Sequence, residues 1–198
     1  MRALFILTWL KCNFYSFRLA SSSDDLRKVA SLRYKIYKEN RYISDEVASS
    51  GEWMDAYDTY SVSFLALRHG VPIGSLRLVL GSGDLPVEHY FNITLSSKRA
   101  EIAEPSRLVI EKNERGGKRL ILFGLGYLAY KYSKKSGIKF WYGTLPSKLS
   151  GSFRKLGLNF ELIDEMAPTA QNLRHRIEIG GYFAKSDLKP YVLNLVEV

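Results

Sequence analysis

Residues Ala100 to Arg119 read AEIAEPSRLVIEKNERGGKR. The run from Ala100 to Ile110 has the apolar, β-branched look of a strand, broken in its middle by Pro105. A basic, glycine-containing loop follows and opens a long apolar helix. Within the strand, Glu104 and Arg107 bracket Pro105-Ser106, giving the pattern Glu-x-Ser-Arg. Proline has no N–H to give to a ladder, so a strand carrying one inside is expected to bulge or open there. A bulged strand feeding a helix N-terminus collects free backbone N–H groups in one place. Such a place can hold a thioester carbonyl or a phosphate.

Upstream, Phe14 to Ala20 alternates as a first strand. Ser21-Ser22-Ser23-Asp24 then supplies cap chemistry for a helix reaching about Lys38. Leu26, Val29, Ala30, Ile36 and Tyr37 fall at helical spacing, and Arg33 lies on the same inward stripe, where a guanidinium needs a partner. Glu39 to Met54 is polar and irregular and reads as a long loop or lid. Val62–Arg68 and Ile73–Leu80 read as two strands joined by a tight turn at His69-Gly70. Asp55 and Asp58 precede the first of them, and Arg77 lies within the second. Gly81 to Pro86 is a loop, and Val87 to Leu95 is ambiguous.

Downstream, Gly117 to Ser136 is helical, with Lys131, Lys134 and Lys135 in the last turn and Gly137 just beyond. Ile138 to Thr144 is a strand, Pro146 to Leu156 a helix stopped by Gly157, and Asn159 to Ile163 a strand again. The tail from Ile177 holds one or two more strands. With no repeat and no linker, residues 1–198 are expected to form a single α/β (α+β) domain, with helices covering both faces of a mixed sheet.

Composition narrows the class. The chain has 198 residues, 46% of them hydrophobic and 25% charged, as in soluble globular proteins. A net charge of +9 suits an acidic partner, whether nucleic acid, anionic membrane or acidic protein, or else marks a protein that is simply basic. One cysteine, Cys12, excludes an internal disulfide and fits a reducing cytoplasm. His69, His89 and His175 show no metal-ligand spacing, and there is no GxSxG elbow or P-loop, so no metal is expected. The amino-terminal MRALFILTWLKC is too short to span a bilayer and is expected to pack as a strand or helix.

The order of elements resembles the GNAT fold of the N-acetyltransferases, a central, mostly antiparallel mixed sheet. The set Arg33 with Tyr37, Asp55-x-x-Asp58, Arg77 and Glu104-x-Ser-Arg107 is similar to the pattern of acyl-homoserine lactone synthases and of long-chain N-acyl amino acid synthases, the N-acyl tyrosine type in particular. The resemblance implies an N-acyltransferase that uses acyl–acyl carrier protein as donor, binds no cofactor of its own and acylates an amino acid, best tyrosine. Lactone synthases carry a tryptophan after the first helix, where this chain has Asn40-Arg41-Tyr42-Ile43. That departure points away from S-adenosylmethionine as acceptor, which defines the lactone-synthase alternative. Glu114 to Arg119 matches the pyrophosphate loop of coenzyme A-dependent acetyltransferases poorly, which favours a carrier protein. A basic nucleic-acid-binding domain is the alternative from another class, but no such motif is present.

Roles follow from the chemistry of amide formation from a thioester, which needs a neutral amine, a polarised carbonyl and a place for the leaving thiol. Glu104 is the candidate base, its structural alternative being an ion pair with Arg107 or Arg77. Backbone N–H groups from Ser106 to Val109 are the candidate carbonyl holders, and the Ser106 hydroxyl can donate or simply be structural. The resemblance implies that Arg33, Tyr37, Asp55, Asp58, Arg77 and Arg107 shape the acceptor pocket; read from the residues alone, the charged ones equally suit an ion-pair scaffold. Lys112, Arg115, Lys118 and Arg119, extended by Lys148 and Arg154, form the expected basic surface for the donor's phosphate and its carrier. Leu122, Phe123, Phe140, Trp141, Tyr142 and Phe153 are candidates for an acyl groove or, more plainly, for core.

Overall fold

A computed structural model describes residues 15–43, 51–114, 118–154, 158–178 and 187–197. The amino-terminal run with Cys12, part of the loop before Met54, Arg115, Gly157 and part of the tail lie outside the described residues. Strand β1 (Tyr15–Leu19) leads into helix α1 (Ser23–Glu39). The Ser22 hydroxyl caps that helix by accepting the Asp25 N–H at 3.1 Å, and Asp24 and Asp25 face the positive end of its dipole. Of the expected stripe Val29, Ala30, Arg33 and Ile36 are buried and Tyr37 is half-buried, whereas Leu26 is exposed and Leu32, outside that stripe, is buried.

Strands β2 (Ser61–Arg68) and β3 (Val71–Leu80) form the expected hairpin. Its turn residues, His69 and Gly70, have φ of 50° and 80°, the left-handed conformation whose twist matches the flanking strands. The start of the ambiguous segment Val87 to Leu95, together with Pro86 from the loop before it, forms a five-residue helix, α2 (Pro86–Tyr90). Pro86 suits its first turn, and the Glu88 carboxylate accepts the Leu85 N–H at 2.8 Å. Then come β4 (Ile102–Ile110), α3 (Lys118–Lys135), β5 (Phe140–Pro146), α4 (Ser147–Arg154), β6 (Phe160–Leu162), α5 (Ala170–Glu178) and β7 (Leu188–Asn194). Helix α5 has no counterpart in the sequence-based expectation.

The strands make one sheet in the order β1-β2-β3-β4-β5-β7-β6. Every neighbouring pair is antiparallel except β4 with β5, so the sheet is mixed and mostly antiparallel, as expected. Alternation along the strands feeds two faces. On one, Ile121, Leu125 and Ala129 of α3 pack on Phe64, Ala66, Leu76, Leu78 and Trp141. Gly124 lets α3 approach β1, since a Cβ there would lie 2.4 Å from the Phe17 ring. On the other, α1 covers Leu65, Leu67 and Val109, and α2 covers Val79, Ile102 and Tyr142.

The centre of the sheet is where it opens. Strands β4 and β5 pair in parallel only at Ile102↔Phe140 and Ala103↔Trp141. The Ile102 carbonyl accepts the Gly81 N–H, so by alternation the Pro105 backbone faces β5. Its missing N–H therefore costs no ladder bond, because β5 has already parted from β4. The expected opening is thus at Glu104-Pro105, whereas the bulge sits further on. Ser75 pairs with Val109 and Arg77 with Ser106, so the single Leu76 faces both Arg107 and Leu108. Arg107 takes a left-handed φ of 52° there, a strain of about 1–2 kcal/mol for a residue with a Cβ.

Candidate active site

Alternation sends Arg77 of β3 and Glu104 of β4 to the face beneath α1 and α2, beside the opening. Arg33 descends from α1 to the same face, and all three are 1–2% exposed. A 3-10 turn (Ala56–Tyr60) brings two carboxylates to meet them. Asp58 accepts Arg33 Nη1 with both oxygens, at 3.0 and 2.9 Å, and lies 3.1 Å from Arg77 Nη1. Asp55 accepts Arg77 Nη1 at 2.5 Å through one oxygen and Arg107 Nη2 at 2.8 Å through the other. The two aspartates also brace the turn. The Asp58 carboxylate accepts the Asp55 N–H at 2.8 Å, and Asp55 accepts the Tyr57 N–H at 3.0 Å.

The guanidiniums therefore act as bridges. Arg77 also donates Nε to the Ser106 hydroxyl at 3.1 Å. Arg107 lies over Trp53, 4.5 Å from the ring centroid, and over Tyr37 at 5.6 Å. Burial works against its charge, but Tyr37 and Asp55 outweigh that and hold it firmly cationic. Asp55 follows the same logic with the opposite sign. Burial would raise its pKa, yet Arg77 and Arg107 hold it down at about 2.

Glu104 differs from the aspartates. It makes no ion pair among the described residues, so its expected pairing with Arg107 or Arg77 is not the arrangement found. Its Oε2 accepts the Val87 N–H at 2.8 Å from the start of α2. Burial pushes its pKa up to about 8, against the pull of that N–H and of Arg77 and Arg107. A carboxyl held there exchanges its proton near neutral pH, the property a general base needs. Tyr90 borders the same space, its phenol pushed up by burial to about 12, and Tyr57 is pushed up further for the same reason. Both remain neutral hydrogen-bonding groups.

The structure thus brings together Arg33, Tyr37, Asp55, Asp58, Arg77, Glu104, Ser106 and Arg107. Val109 is buried against Leu32 and Ile36, its backbone already in the ladder beyond the bulge. Trp141 is a correction: it lies in the core against α3, its indole N–H donating to the Ser133 hydroxyl at 2.9 Å. Strand alternation sends Trp141 and Tyr142 to opposite faces, so they cannot line one groove. Phe123 is half-buried on α3. Of the basic surface, Lys112 is exposed in the turn Lys112–Glu114, and Arg154 is exposed at the end of α4. Lys118 and Arg119 open α3. A polar cavity of about 530 Å³ lies beside Lys112, between the end of α1 and that turn. Lys35, Glu39, Asn40, Glu111 and Asn113 complete its lining, which gives no apolar wall for an acyl chain.

Sequence reasoning missed Trp53, Tyr57 and Tyr90. Trp53 carried a usable signal, an aromatic two residues before the Asp55-x-x-Asp58 pair. Among the described residues no cluster of histidine, cysteine and carboxylate could hold a metal ion, and no helix is long and apolar enough to cross a membrane.

The family model described as N-acyl amino acid synthase FeeM matches residues 28–168. No curated protein sequence matches the chain. Among solved structures, FeeM, an N-acyl amino acid synthase from uncultured soil microbes, superposes with a TM-score of 0.64 at 14% identity, over 92% of each chain. The coenzyme A-dependent acyl-homoserine lactone synthase BjaI, solved with MTA, gives 0.70 at 17% identity, over 91% of this chain and 83% of that one. The lactone synthase LasI gives 0.68 at 14%, over 91% and 90%. At these identities the likeness to the solved structures is one of fold.

Proposed function

The chain belongs to the N-acyl amino acid synthase FeeM family, and on that premise we propose that it moves a long-chain fatty acyl group from acyl carrier protein to the α-amine of an amino acid, tyrosine first. The observation that carries this reading is a carboxyl of raised pKa, Glu104, buried where β4 and β5 part, with Arg77 and Arg107 near it. In the reaction the amine nitrogen attacks the thioester carbonyl, the C–S bond breaks, and the thiol leaves with a proton. An amino acid near pH 7 is mostly an ammonium, and its surplus proton has to go to a base. Glu104 takes that proton directly or through one bound water, its Oε2 accepting the Val87 N–H. Backbone N–H groups around the bulge stabilise the developing oxyanion, a contribution of about 3 kcal/mol per donor in well-studied enzymes.

The direct ion pairs set three guanidiniums, Arg33, Arg77 and Arg107, against two carboxylates, Asp55 and Asp58, and an amino-acid carboxylate suits them as a further anionic partner. Tyr37, Trp53, Tyr57 and Tyr90 give the site an aromatic character that suits tyrosine.

The donor reading rests on the net charge of +9 and on the basic residues from Lys112 to Arg119, opposite in sign to an acidic carrier protein. Reversing Arg115, Lys118 and Arg119 to glutamate is expected to raise KM for the acylated carrier by about tenfold, as the loss of a few exposed pairs would. Added salt should raise it similarly in the unmodified protein. The test of the whole reading offers acyl-carrier protein or acyl-coenzyme A with tyrosine, other amino acids or S-adenosylmethionine, and identifies products by mass. N-acyl tyrosine from the carrier donor is expected. A lactone from S-adenosylmethionine, or amide formed from coenzyme A alone, overturns it.

A further inference from the structure

Helix α2 is too short to persist on its own, since five residues barely cover the cost of nucleating a first turn. It is held from two sides. Inward, its Val87 N–H binds Glu104, and Leu85, Val87 and Phe91 are buried against Val79, Ile102 and Tyr142. Outward, its last carbonyls have no acceptor role within the helix, the usual state of a helix C-terminus. Helix α5 supplies the donors. Asn172 Nδ2 donates to the carbonyls of His89 at 3.2 Å and Glu88 at 3.4 Å. Arg176 Nε donates to the Tyr90 carbonyl at 2.5 Å, with its guanidinium 4.3 Å from the Phe91 ring centroid.

These donors are themselves fixed. Asn172 is buried, and its Oδ1 accepts the Thr169 N–H at 2.9 Å and hydroxyl at 2.7 Å, which sets the amide's orientation. Arg176 Nη2 is paired with Glu165. Such groups on a helix face normally point to water. Here they finish a neighbouring helix whose underside covers the candidate base.

We propose that Asn172 and Arg176 are positioning residues of the acyl-transfer centre: by gripping the carbonyl end of α2, they keep that helix seated over Glu104 and shield it from bulk solvent. The inference rests on the reading of Glu104 as the base. Loosening the grip lifts α2, admits water to the carboxyl and lets its pKa fall toward the ordinary glutamate range, because burial is the main cause of its elevation. The charged groups facing Glu104 are Arg77 from β3, Arg107 from β4 and Glu88 from α2, with Tyr57 and Tyr90 alongside. At the α2–α5 seam itself, His89 and His175 meet at 5.1 Å, and Asp84 lies 3.7 Å from His89.

The experiment titrates the side-chain carboxyl carbons of ¹³C-glutamate-labelled full-length protein by NMR, the Glu104 signal assigned through its absence in Glu104→Gln. A carboxyl signal separates Glu104 from the two imidazoles. In the unmodified protein it should titrate near 8. Arg176→Leu and Asn172→Ala should lower that midpoint by about one unit or more, while Arg176→Lys, which keeps a donor, stays near the unmodified value. If Arg176→Leu does not fold, Asn172→Ala decides. An unchanged midpoint in folded Asn172→Ala, with only a lower melting temperature, overturns the proposal. The acyl-transfer assay reads the other question separately: a shifted midpoint without amide product keeps the grip and refutes the base.

Discussion

Glu104→Gln is expected to lower kcat by about 10²–10⁴-fold, the usual contribution of a positioned base. Glutamine preserves the volume and can still accept the Val87 N–H, so α2 stays seated and the loss reports proton transfer. In the unmodified enzyme kcat should rise with pH through about 8, as the buried carboxyl loses its proton. The variant should lack that inflection at every substrate concentration. Stability must move the opposite way. The folded-state pKa lies above the unfolded value, so the folded protein holds a proton that the unfolded chain releases. The stability linked to that proton is complete below the unfolded pKa of about 4.5 and is lost as pH rises through about 8. Glutamine has no such proton, so the variant should gain melting temperature relative to the unmodified protein between pH 5 and 8. Near-wild-type turnover with no stability gain would reduce Glu104 to a structural anchor for Val87.

The second large effect belongs to Asp58. It accepts two bonds from Arg33, approaches Arg77 at 3.1 Å and receives the Asp55 N–H. Asp58→Ala leaves two guanidiniums buried and undercompensated, at a cost of about 3–5 kcal/mol. Urea denaturation should show a lower midpoint at unchanged slope. The double substitution Asp58→Leu with Arg33→Met removes charge and partner together and should recover much of that loss. If Asp58→Ala costs less than about 1 kcal/mol, the cluster is an exposed network and the burial argument fails.

These two residues also show what made the site legible in the sequence. Arg33 stood on an apolar helical stripe and Glu104 in an apolar strand, and each buried charge demands an explanation. Asp55-x-x-Asp58 was readable only through the family pattern it resembles, and it is the 3-10 turn before the hairpin that carries both carboxylates to one place. The opening at Pro105 followed from a missing N–H. The left-handed bulge at Arg107 did not, because nothing but tertiary contact with Asp55, Trp53 and Tyr37 selects it in a residue with a Cβ. Trp141 looked like part of a groove because aromatic strands serve core and ligand alike. Its side of the sheet depends on register, which neighbouring strands set. Helix α5 escaped notice because Asn172 and Arg176 act on carbonyls far away in sequence, and such donors look like ordinary surface residues.

Joining of a fatty acyl group to an amino-acid amine under the control of Glu104 can be tested in a living cell. The most direct measurement expresses the chain in a bacterial host fed ¹⁵N-tyrosine and analyses lipophilic extracts by mass spectrometry. A long-chain N-acyl tyrosine whose mass carries the label is expected, abundant with the unmodified chain and nearly absent with Glu104→Gln. A labelled product made equally by both chains, or an acylated product with no amino-acid nitrogen, contradicts it.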